Sequence, residues 1–70
     1  MLSPDKTLGK NIAYYRKELN LTKEKLAVIT GLWPGYLSDV ETGRKVPRID
    51  TIARLAAELR VTIDELVGIP

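Results

Sequence analysis

A chain of 70 residues holds at most one domain and can bury only a small core. With neither Cys nor His present, it has no disulfide, no thiolate nucleophile, and neither the commonest metal ligand nor the commonest general base. Its hydrophobic content of 44% is too high for a disordered segment, and its net charge of +2 is by itself only a weak pointer to an anionic partner.

Helix signals dominate from the start. Ser3-Pro4 reads as an N-cap followed by proline at the first helical position. Leu8, Ile12, Tyr15 and Leu19 then recur at spacings of four, three and four, which predicts a first helix over about 4–19. Asn20 tolerates the left-handed conformation that ends it. Thr22 caps a second helix over 22–30, with Leu26 and Ala27 inward and Gly31 as its stop.

Pro34 excludes Trp33 from the helical region, so a third helix spans 34–42, with Leu37 and Val40 inward and Gly43 at its end. "GRKVP" is a loop. A fourth helix over about 48–59 carries the stripe Ile52, Leu55, Ala56 and Leu59. "TIDE" at 62–65 is a capping box for a short fifth helix over 63–67. "VIT" at 28–30 is β-branched but lies inside a helical pattern, so no strand is expected. The expected fold is all-α, a compact five-helix bundle forming a single domain over residues 1–70. The second and third helices, joined at Gly31, have the composition of a helix-turn-helix: a small residue in the turn and apolar residues locking the two helices.

The charge is segregated along the chain. Residues 1–30 carry six basic and three acidic groups, and residues 31–42 carry only Asp39 and Glu41. Residues 43–48 carry Arg44, Lys45 and Arg48 without an acid, and residues 49–70 carry two basic and four acidic groups. Positive charge therefore flanks the third helix on both sides, which is what a surface facing nucleic acid needs.

The span from Leu8 to Val67 closely resembles the phage-repressor (Cro/CI, XRE-like) helix-turn-helix family. The pieces "LTKEKLA", Gly31, "YLSDVETGRKVP", "DTIARLA" and "TIDEL" match it in order and spacing. The resemblance implies a lambda-repressor-like DNA-binding domain whose third helix enters the major groove. It further implies a second helix that sets its N-terminus, Thr22 and Lys23, on a phosphate. A second backbone clamp falls at Gly43-Arg44-Lys45, extended by Arg48 and Thr51. Arg16 and Glu41 match a pair that bridges the first and third helices in this family, a structural ion pair and not a DNA contact.

The departures from the family pattern fall at the first turn of the third helix. Where polar base-reading side chains are usual, this chain has Trp33, Pro34 and Gly35. Gly35 offers only close backbone approach. Tyr36 and Ser38 can bond phosphate or base. Asp39 stands where the family often has Lys or Arg, and there it repels phosphate or accepts from a cytosine amino group. Affinity would then rest on Lys10, Lys23, Arg44, Lys45 and Arg48 holding phosphates, with Lys6, Lys17 and Lys25 solvated. Trp33 reads either as folded over the turn onto Ile29 or Tyr36, or as laid against the DNA backbone. Val28 and Ile29 read as half-buried or, with Trp33, as an exposed apolar patch for a protein partner.

Two functions follow. The first is a sequence-specific DNA-binding transcriptional regulator, a bacterial or phage repressor. It would act on double-stranded DNA as a homodimer, with Leu66, Val67 and Ile69 as candidate dimer contacts, though Leu66 reads equally as a residue that closes the core. The alternative is a protein-binding helix-turn-helix module, antitoxin-like or an anti-repressor partner, with weak DNA readout. Neither an enzyme nor a bound metal or cofactor is expected. No apolar run approaches the ~18 residues needed to cross a bilayer, and "MLSPDKTLGK" lacks a signal-peptide core. The expected location is cytoplasmic, on the nucleoid, with no membrane partner.

Overall fold

The computed structural model describes residues 4–68, with side chains from Thr7 onward. Its elements are α1 (Pro4–Glu18), α2 (Lys23–Thr30), α3 (Pro34–Glu41), α4 (Ile49–Leu59) and α5 (Ile63–Val67), with no strand among the described residues. The expected cap at Ser3 and dimer contact at Ile69 lie outside the described residues. No described helix is long and apolar enough to cross a membrane.

Local chemistry sets the helix ends. Asn20 sits in the left-handed region at φ 57° and stops α1. Thr22 is extended, and its hydroxyl accepts the Lys25 N–H at 3.0 Å, capping α2. Gly31, at φ 72°, turns the chain so that the Leu32 N–H reaches the Ala27 carbonyl at 2.9 Å. Trp33 is extended ahead of Pro34, the first residue of α3. Both halves of the capping box at α5 are made: the Glu65 N–H donates to Thr62 Oγ1, and the Thr62 N–H to Glu65 Oε1. At the end of α4 no glycine is present, and Arg60 itself takes the left-handed conformation at φ 63°.

The stripes converge on one core. Leu8 and Ile12 of α1 meet Leu26 and Ala27 of α2, Leu37 and Val40 of α3, and the apolar stripe of α4. Leu66 of α5 is fully buried in the same cluster. This corrects its candidacy as a dimer contact: a side chain that closes the core of a short chain is not available to a second copy. Val67 is only partly buried, packed at the edge of that core.

Two features fix α3 against α1. Arg16 Nε donates to Glu41 Oε2 at 2.8 Å and its Nη2 to Oε1 at 3.2 Å, a two-pronged pair with side chains only 9% and 4% exposed. Arg16 Nη1 also donates to the Leu21 carbonyl at 2.8 Å, so one guanidinium holds the α1–α2 turn and the C-terminal turn of α3. Gly9 is the second feature. A Cβ there would run into the backbone carbonyl oxygens of Val40 and Glu41. At the other end of the bundle, Asn11 Nδ2 donates to the Leu66 carbonyl at 2.9 Å and anchors α5 on α1.

Two stability predictions follow. Gly9→Ala should destabilise by about 2 kcal/mol, because the overpacking strain against rigid backbone exceeds the ~1 kcal/mol that alanine gains in a helix. Thermal unfolding checks the sign, since helix propensity alone would raise Tm. Glu41→Ala should cost about 3 kcal/mol by leaving Arg16 buried with half its partners. In the same unfolding measurement, the double variant Arg16→Met, Glu41→Leu should be more stable than Glu41→Ala.

Candidate nucleic-acid interface

The burial of α3 decides which of its residues face outward. Leu37 and Val40 are fully buried, which leaves Gly35, Tyr36, Ser38 and Asp39 on or near the open side of an eight-residue helix. Gly35 is bare: nothing lies within 4 Å of where its Cβ would be. A backbone this uncovered can approach another surface closely.

Cations from the flanking elements converge on this helix. Lys23, in the first turn of α2, places its Nζ 3.2 Å from Ser38 Oγ. From the other side, Gly43 at φ 81° reverses the chain after α3. The N–H groups of Arg44 and Lys45 then both donate to the Asp39 carbonyl, at 2.8 and 3.3 Å. That turn sets the two side chains beside the Asp39 carboxylate, with Lys45 Nζ at 3.7 Å and Arg44 Nη1 at 4.0 Å. Lys45 Nζ also lies 5.6 Å from the centroid of the Tyr36 ring. Each outward polar side chain of α3 therefore touches a cation from a neighbouring element. The Lys23–Ser38 bond is part-buried, whereas the two Asp39 pairs have exposed cations and are weak, since pairs of this kind contribute about 0–1 kcal/mol.

The structure thus gathers Lys23, Tyr36, Ser38, Asp39, Arg44 and Lys45 into one cluster. Thr22 is engaged as the α2 cap, and Arg48 is the exposed N-cap residue of α4. Lys10 is exposed on α1, and Thr51 is half-buried in the first turn of α4. Arg16 and Glu41 are bound to each other, almost wholly shielded from solvent.

Two expectations need correction. Trp33 does not fold over the turn onto Ile29 or Tyr36; it is 82% exposed. The extended backbone that Pro34 imposes on it leaves the indole outside the packed face of α3. Nor are Val28 and Ile29 half-buried: both are exposed, at 75% and 38%. The inward face of α2 is Leu26, Ala27 and Thr30, so Val28 points away from the core.

Other features escaped the sequence reading. Val46 and Ile49 are exposed on either side of buried Pro47 and exposed Arg48, next to the basic loop. The only sequence signal for them is an apolar residue on each side of "PR". Arg54 of α4 donates to the Thr30 carbonyl at 3.1 Å and secures the C-terminus of α2 beside the turn. The proximity of Asp39 to Arg44 and Lys45 was also missed, because it depends on the left-handed Gly43 folding the loop back.

Comparison with known proteins shows the family. A family model described as helix-turn-helix matches residues 12–66. An uncharacterized HTH-type transcriptional regulator, y4dJ of Sinorhizobium fredii, is 40% identical over 62 residues, covering 89% of this chain and 80% of its own length. The immunity repressor protein of Bacillus phage phi105 is 36% identical over 62 residues, covering 89% of this chain but 43% of the repressor. The crystal structure of SinR, the master regulator for biofilm formation, in complex with DNA matches with a TM-score of 0.81 at 31% identity, covering 86% of this chain and 97% of that one. With the helix pair around Gly31, the cationic flanks and a family match over most of its length, the chain belongs to the XRE-like, phage-repressor type of helix-turn-helix family, that of DNA-binding transcriptional regulators.

Proposed function

We propose that this regulator acts as a repressor, with α3 lying in the major groove and the flanking cations on phosphates. The observation that carries this reading is the convergence of Lys23, Arg44 and Lys45 on the outward side chains of α3. In this mode Lys23 holds one DNA strand, Arg44, Lys45 and Arg48 hold the other, and Lys10 adds a further phosphate contact. Readout falls to Tyr36, Ser38 and Asp39, helped by close approach at Gly35 and by DNA shape. Exposed Trp33 lies against the sugar-phosphate backbone or a thymine methyl. The protein works as a homodimer on paired half-sites in the cytoplasm, on the nucleoid, and catalyses no reaction. Of its C-terminal residues, Val67 and Ile69 remain for the dimer contact, since Leu66 is buried in the core.

A second reading rests on the exposure of Val28, Ile29 and Trp33 around the α2–α3 turn. Such a patch suits an apolar protein partner, as in an antitoxin-like or anti-repressor module. Salt separates the two. Five phosphate contacts per chain give a log–log slope near −4.5, or about 500-fold weaker binding for a fourfold rise in salt. The assay is a salt-titrated binding measurement on the DNA upstream of the protein's own gene. Arg44→Ala, Lys45→Ala should weaken binding at least tenfold and flatten the slope by about 1.8. DNA binding that ignores salt and this double substitution would discard the repressor reading and favour the protein-binding one.

A further inference from the structure

Asp39 is the one acid on the open side of α3 among the described residues, because Glu41 is bonded to Arg16 beneath the helix. Its carboxylate lies within 4.0 Å of both Arg44 and Lys45, the two cations of the loop clamp. Its side chain is 31% exposed against 78% and 55% for its partners, so the anion sits inboard and the cations outboard. We propose that Asp39 is an internal counter-ion that suppresses binding to random-sequence DNA and makes the clamp's grip depend on the base pair beneath α3. This inference rests on the major-groove mode above.

The physics follows from counter-ion release. A free lysine or arginine that neutralises a phosphate liberates condensed cations from the duplex, and that release drives non-specific binding. Arg44 and Lys45 are not free, because each has a carboxylate at hand. To hold a phosphate they must either leave Asp39 or carry its negative charge up to the backbone. Either way the driving force on an arbitrary duplex falls. Since the pairs are long and exposed, they exchange readily and do not lock the clamp shut.

What offsets the loss is a donor in the groove. Cytosine presents an amino group there, whereas guanine presents two acceptors that repel a carboxylate. Where cytosine lies under Asp39, the carboxylate gains a partner as the cations transfer to phosphates. Over guanine or thymine it is left without one, and over adenine the amino group lies beside the N7 acceptor, which repels a carboxylate. A residue that looks like a flaw in a DNA-binding helix thereby becomes the part that rejects wrong sites.

The test is Asp39→Asn in the full chain, near-isosteric and uncharged, measured on a random-sequence duplex across a salt series. The expected result is binding about three- to tenfold tighter, with a log–log slope steeper by about 1 to 2. This gain should vanish in the Arg44→Ala, Lys45→Ala background, the coupling that marks a direct pair. Asp64→Asn on α5 removes the same charge away from the clamp and should leave binding unchanged. In selection from a randomised duplex library, the parent should enrich cytosine at one position and an Asp39→Ala variant, which has no acceptor, should lose that enrichment. An unchanged random-duplex affinity for Asp39→Asn overturns the proposal. So does an equal gain from Asp64→Asn, or one that persists without Arg44 and Lys45, or the absence of a cytosine preference in the parent. Failure of the parent to bind DNA in a salt-dependent way would instead overturn the major-groove mode itself, and the counter-ion role with it.

Discussion

The buried pair between Arg16 and Glu41 is the constraint on which the rest of the molecule depends. It joins the end of α1 to the end of α3, and its third donor holds the Leu21 carbonyl in the turn that leads to α2. Removing two charges from water is costly, and a buried pair contributes to stability only when its geometry is good and its remaining donors are satisfied. No buried side-chain nitrogen or oxygen among the described residues lacks a hydrogen-bond partner. The pair is thus well made, yet its larger role is orientation. A guanidinium fork meeting a carboxylate at two points permits one arrangement of α3 on α1, where apolar contacts alone would permit sliding. The bare backbone at Gly9 allows the close approach that this arrangement requires.

Once α3 is held in this way, its outer side follows. Leu37 and Val40 are directed into the core, so Tyr36, Ser38 and Asp39 are left where Lys23, Arg44 and Lys45 reach them. The inner pair is shielded; the outer Asp39 pairs have exposed cations and exchange readily. That division suits a surface that must keep its shape while trading internal partners for phosphates. It also bears on the sparse first turn. With Pro34 and Gly35 offering no base-reading side chain, affinity in the proposed mode comes from cations, and discrimination comes from the few polar groups that follow.

The fold was legible in the sequence because its signals are local. Capping at Thr22 and Thr62, the left-handed residues Asn20 and Gly31, and the proline start of α3 each act within one turn of helix. The apolar stripes then leave few ways to pack. What periodicity does not carry was harder to see. Arg60 takes a left-handed conformation usual for glycine, and no neighbouring residue announces it. Trp33 looked like a packing residue because large aromatics usually bury, but the proline after it decides its backbone and leaves the ring in solvent. The Asp39 cluster spans a reversal at Gly43, so its members are five and six residues apart along a path that is no longer helical. Leu66 read equally as a dimer contact or a core residue; Asn11 draws α5 onto α1 and buries it.

Backbone amide shift mapping, with a random-sequence duplex titrated into the labelled protein at low ionic strength, tests the central claim most directly. The account predicts perturbations concentrated at Lys23, Gly35, Tyr36, Ser38, Asp39, Arg44 and Lys45, with the Trp33 indole among them and the amides of α5 unmoved. Perturbations confined to α5 and the C-terminal half of α4, with α3 silent, would contradict it.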